Sequence, residues 1–156
     1  MAIMENELIK KAYNIFSKYH LGDKVTACYC NVCMTEEFSD YLKKTLLKEI
    51  SADSMNSYIS CVGIEENDYN DFKYFFPRIL DLLNEDRLSP IFSDFYIFIW
   101  GTLERLDYSG WEYEEQKIFI EFFDDYWRNT KNVTDPELTD LSIASIKAIV
   151  LKPQAL

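Results

Sequence analysis

The sequence predicts an all-α fold, a single compact helical domain of about six or seven helices spanning residues 1–156. Apolar residues recur at helical spacing in most segments of the chain. Several of these segments follow a Ser, Thr or Asp, the residue types that typically cap the start of a helix. Ser89 and Asp135 are also followed directly by proline, which is favoured at the first helical position. The length of 156 residues is that of one ordinary domain, and 48% hydrophobic residues are enough for a core and exclude intrinsic disorder.

The first three helices are predicted before residue 60. The first runs from Glu5 to Lys18, where five apolar residues share one helical face. These residues are Leu8, Ile9, Ala12, Ile15 and Phe16. Thr35 is expected to cap a helix that runs from Glu36 to about Lys44. Ser51 is expected to cap a short helix that contains Met55, Tyr58 and Ile59.

A fourth helix is predicted from Asp71 to Asn84, because its apolar residues form a wide face. These residues are Phe72, Phe75, Phe76, Ile79, Leu80, Leu82 and Leu83. Pro77 lies inside the segment and lacks a backbone N–H, so we expect it to kink the helix or split it in two.

Three further helices are predicted in the second half of the chain. Ser89-Pro90 starts a buried helix over Ile91–Leu106, and Thr134-Asp135-Pro136 starts a last helix that ends at about Leu151. Between them, Trp111–Arg128 is amphipathic. Its predicted buried side holds Phe119, Ile120, Phe123, Tyr126 and Trp127, and its predicted exposed side holds Glu114, Glu121 and Asp125.

The charge of the chain is concentrated in its centre. The sequence has 27 Asp and Glu against 16 Lys and Arg, and residues 65–125 alone hold 16 acids and 5 bases, a net −11. This excess disfavours binding to nucleic-acid phosphates and favours a basic protein partner, although a solvated face selected for solubility has the same composition. The candidate partner-binding residues are Asp107, Trp111, Glu112, Tyr113, Glu114, Glu121 and Asp125.

Three closely spaced cysteines, Cys28, Cys30 and Cys33, are the candidate metal ligands. Their thiolates, completed by Cys61 or His20, could bind Zn²⁺ in a tetrahedron, whereas the alternative is ordinary packing by free thiols. The chain begins without the features of a secretory signal, and its longest apolar run, residues 95–100, is far shorter than the roughly 20 residues of a membrane span. We therefore expect a cytoplasmic protein without membrane segments.

The sequence predicts no enzyme and no cofactor. His20 is the only histidine available as a catalytic base, and the four glycines are isolated rather than clustered in a phosphate-binding loop. Glu112-x-x-Glu115 and Glu121-x-x-Asp124 have the letters of the magnesium motifs found in all-α nucleotide pyrophosphatases. Because both lie on one predicted helix, they cannot face each other across a metal ion.

Two segments carry a resemblance to a known family. Residues 28–33 (CYCNVC) and 71–83 (DFKYFFPRILDLL) resemble a family of small bacterial helical proteins, in a match over roughly residues 15–85. Some members of that family are immunity proteins of contact-dependent growth inhibition and other polymorphic toxin systems. The family has an adjacent cysteine pair, from which the spacing here departs. The resemblance implies a helical cytoplasmic protein in which Arg78 is a structural anchor paired with a nearby carboxylate.

Charge and resemblance together predict an immunity protein that binds and neutralises a cognate basic toxin. A nuclease toxin, for example an RNase, fits best because such enzymes carry positive charge to hold nucleic acid. The alternative prediction is a zinc-stabilised structural or regulatory protein built on Cys28, Cys30 and Cys33.

Overall fold

The protein is mostly helical in the part of the chain that the structure describes. The computed structural model describes residues 6–23, 25, 34–59, 69–85, 87 and 110–129. These residues are 78% helical, with five α-helices and no strand among them, which confirms the all-α prediction. The helices are α1 Glu7–Ile15, α2 Glu36–Lys44, α3 Ala52–Ile59, α4 Tyr69–Asn84 and α5 Tyr113–Asn129. Short 3₁₀-helices cover Phe16–Lys18 and Leu47–Glu49.

The chain divides into two compact units, Met1–Pro90 and Ile91–Leu156. Helices α1–α4 belong to the first unit and α5 to the second, and the single domain over residues 1–156 stays a prediction. The helices predicted over residues 91–106 and from residue 134 onwards lie outside the described residues. Within the described ranges, no helix combines the length and the apolar character needed to cross a bilayer.

Side-chain caps set the starts of the first three helices. Oδ1 of Asn6 accepts a hydrogen bond from the Leu8 N–H at 2.9 Å, so α1 begins two residues later than predicted. Oγ1 of Thr35 accepts from the Phe38 N–H at 3.1 Å, and Oγ of Ser51 accepts from the Ser54 N–H at 3.1 Å. The predicted caps of α2 and α3 are confirmed.

Helix α4 supplies more of the described core of the first unit than any other helix. Its seven predicted core residues are all buried, as are Met55, Tyr58 and Ile59 of α3. The rings of Tyr58 and Phe75 lie 4.3 Å apart between their centroids. Of the two outcomes predicted at Pro77, the split does not occur, because α4 continues through this residue, and the kink stays a prediction. Proline removes one backbone donor at a cost of about 3 kcal/mol, and burying a whole apolar face of the helix outweighs that cost.

Helix α1 packs antiparallel to α4. Nδ2 of Asn6 donates to Oδ1 of Asn84 at 3.2 Å, which joins the start of α1 to the end of α4. At the other end of α1, the rings of Phe16 and Phe76 meet edge to face at 5.2 Å between centroids. Ile9, Ala12 and Phe16 are the buried residues of this N-terminal segment, so the predicted apolar face is confirmed at its centre.

Candidate functional site

Helix α5, which holds most of the predicted partner-binding residues, begins at an N-cap that the sequence did not indicate. The carbonyl of Glu112 accepts the first helical hydrogen bond, from the Gln116 N–H at 2.9 Å. The Glu112 N–H in turn donates to Oε1 of Glu115 at 2.9 Å. This is the return half of a capping box, in which the third helical residue satisfies the backbone of the cap. Glu115 is completely buried.

The cap changes the interpretation of the paired glutamates. Because Oε1 of Glu115 accepts from the helix backbone, the Glu112-x-x-Glu115 spacing belongs to a helix start. Glu121 follows on the same helix, as predicted, and the side chain of Asp124 lies outside the described residues. Across the part of the chain that the structure describes, no three His, Cys, Asp or Glu side chains are grouped to hold a metal ion.

The buried face of α5 is formed by Ile118, Phe119 and Phe122 together with Glu115. These four are the buried ones among the side chains of α5 that the structure describes. Phe119 is buried as predicted, but Ile120 is only half-buried. The side chains of Phe123, Tyr126 and Trp127 lie outside the described residues.

Trp111 is not a surface residue, and its assignment as a partner-binding anchor is corrected. Its side chain is 2% exposed, and its ring meets that of Phe119 edge to face at 6.4 Å between centroids. A partner cannot reach a side chain enclosed in this way. Asp107, also assigned to the partner surface, lies outside the described residues.

Three carboxylates of α5 form an exposed row, which we call the acidic stripe: Glu114, Glu121 and Asp125. The helical periodicity places them within about 40° of one another around the axis. The helical rise spaces them about 10 Å and then about 6 Å apart along the axis. Nζ of Lys117 lies 4.0 Å from Oε1 of Glu121, so one cation partly offsets the charge of the stripe.

An exposed aromatic side chain lies at the start of this surface. Tyr113 is 73% exposed, and it stands between Glu112 and Glu114, which are both exposed. The exposed residues of α5 and its cap therefore include five of the predicted set: Glu112, Tyr113, Glu114, Glu121 and Asp125. These are the predicted partner-binding residues that a partner could touch.

The predicted metal ligands Cys28, Cys30 and Cys33 lie outside the described residues, as does Cys61. His20, the other proposed ligand, is exposed beyond the end of the first helix. Val25 and Met34, on either side of the cysteine cluster, are both buried. The zinc-stabilised alternative stays a prediction.

A polar cluster in the first unit ties three segments together, and the sequence indicated only its arginine–carboxylate pair. Nη1 of Arg78 donates to Oδ2 of Asp81 at 3.0 Å, which confirms the expected pairing of this arginine with a carboxylate. Nε of Arg78 donates to the carbonyl of Ile50 at 3.0 Å, and the Tyr13 hydroxyl donates to Oδ2 of Asp81 at 3.0 Å. Nζ of Lys48 lies 4.8 Å from the centre of the Tyr13 ring.

The cluster changes the acidity of Tyr13. Burial, the negative charge of Asp81 and the hydrogen bond to it together raise the pKa of the Tyr13 hydroxyl above its usual 10.0. The i,i+3 spacing of Arg78 and Asp81 is visible in the sequence. The contribution of Tyr13 is not, because 68 residues separate it from Asp81. We interpret the cluster as a structural clamp that holds α1 and residue 50 against α4.

Comparison of the chain with family models, with curated proteins and with solved structures found no match.

Proposed function

We propose that the protein is an immunity protein that binds and neutralises a basic bacterial toxin through the acidic stripe of α5. The observation that carries this proposal is the row of exposed carboxylates beside the exposed ring of Tyr113. The surrounding sequence adds to it, because residues 65–125 hold the whole net charge of −11. A cognate nuclease toxin, with a positive surface that holds nucleic acid, is the class of partner that this charge fits.

Electrostatic attraction speeds the association of such an inhibitor with its toxin. Complementary charge can raise association rate constants from about 10⁶ to about 10⁸ M⁻¹s⁻¹ or more at low salt. An immunity protein must act before the toxin damages its own cell, so rapid capture is the property that matters most. Because physiological salt screens exposed charges beyond about 8 Å, this advantage has to weaken as salt is added.

The stripe is presented on a rigid element. The buried face of α5 and the Glu112–Glu115 cap fix the helix that carries the carboxylates. A preorganised surface loses less conformational entropy on binding than a loop would. The like-charge i,i+4 pair Glu121–Asp125 costs the free helix a few tenths of a kcal/mol, which a cation from the partner would relieve.

The anchor at one end of the surface is Tyr113. Tyrosine is enriched among residues that dominate binding energy, because a rigid ring buries a large area at a small entropy cost. An arginine of the partner could stack on this ring and pair with Glu114 at once. The proposal therefore assigns Tyr113 and Glu114 to the centre of the interface, with Glu121 and Asp125 extending it along the helix.

The test is capture of the toxin encoded next to this gene by the purified protein, at low and at high salt. We expect a complex that weakens at high salt, and Glu114→Lys with Glu121→Lys should weaken it by at least about tenfold. The matched control is Asp40→Lys with Glu49→Lys, which makes the same change of charge at exposed positions of the first unit. Equal affinities for the two double variants would contradict the assignment of the stripe, and the absence of any complex would overturn the proposed function.

A further inference from the structure

We draw no further inference here: the strongest candidate, the side-chain cluster of Cys28, Cys30 and Cys33 in the segment between the buried residues Val25 and Met34 that leads into α2, lies wholly outside the residues that the structure describes.

Discussion

The clamp around Arg78 makes the sharpest prediction about stability. Replacing Arg78 with leucine removes two hydrogen bonds, one to the carbonyl of Ile50 and one to the carboxylate of Asp81, each 3.0 Å long. Leucine keeps much of the apolar stem, so the loss is confined to the charged group. Ile50 is completely buried, and its carbonyl therefore has no route to water as a substitute partner.

The expected cost is about 3 kcal/mol. A buried acceptor without its donor costs about 1–3 kcal/mol. Breaking a fully buried ion pair costs about 3–5 kcal/mol, but the side chain of Asp81 is 22% exposed and keeps its bond to Tyr13, so only a part of that figure applies. The apolar area regained by leucine offsets a further part.

The assay is urea unfolding followed by far-ultraviolet circular dichroism. All three tryptophans, at positions 100, 111 and 127, belong to the second unit, so their fluorescence serves as an internal reference for a change confined to the first. The matched control is Arg87→Leu, because Arg87 pairs with Glu85 at 3.0 Å while both side chains are substantially exposed. Exposed pairs contribute about 0–1 kcal/mol. If Arg78→Leu destabilised the protein no more than Arg87→Leu does, the clamp would have no energetic role.

Two further predictions concern single hydrogen bonds. The pKa of Tyr13 is raised in the native state, so the folded protein keeps the hydroxyl proton at a pH where the unfolded chain, with the usual tyrosine pKa of 10.0, releases it. The contribution of Tyr13 to stability is therefore complete below pH 10 and is lost as the pH rises above it. In urea unfolding between about pH 9 and 11, the free energy of unfolding should fall less for Tyr13→Phe than for the wild type. If the two free energies differed by a constant amount over this range, the reasoning would be contradicted. Glu115→Ala should destabilise the second unit by about 0.5–2 kcal/mol, because the Glu112 N–H loses its acceptor. The exposed Glu114→Ala should change stability by less than about 0.5 kcal/mol, and equal effects in tryptophan-monitored unfolding would argue against the cap.

Local signals in the sequence accounted for most of the fold that is described. The seven apolar residues of α4 are buried as their spacing predicted, and Thr35 and Ser51 cap the helices that follow them. Such features depend on a few neighbouring residues and on the helical period alone. The continuation of α4 through Pro77 could not be predicted locally, since it depends on how much apolar surface the whole helix buries in the tertiary structure.

The exposed charges of the candidate site were predictable from the sequence, whereas the burial of Trp111 and Glu115 was not. Glu114, Glu121 and Asp125 are exposed as the helical phase required. An aromatic residue beside acidic residues fits both a binding anchor and a core position, and the sequence alone does not distinguish the two. The tertiary contact of Trp111 with Phe119 shows that it belongs to the core. The burial of Glu115 was not predictable either, because the side chain accepts from the backbone N–H of residue 112, a donor that does not depend on which side chain stands there.

The association rate of the toxin as a function of ionic strength tests the central claim most directly. The toxin encoded next to this gene is mixed in a stopped-flow instrument with the wild type, with the triple variant Glu114→Gln, Glu121→Gln, Asp125→Asn, and with Asp40→Asn, Glu49→Gln, Asp53→Asn. The last variant loses the same charge in the first unit and therefore separates the effect of the stripe from that of the total charge. The account predicts a steep fall of the wild-type rate with added salt and a clearly shallower fall for the triple variant of the stripe. Equal salt dependences for these two proteins would contradict it.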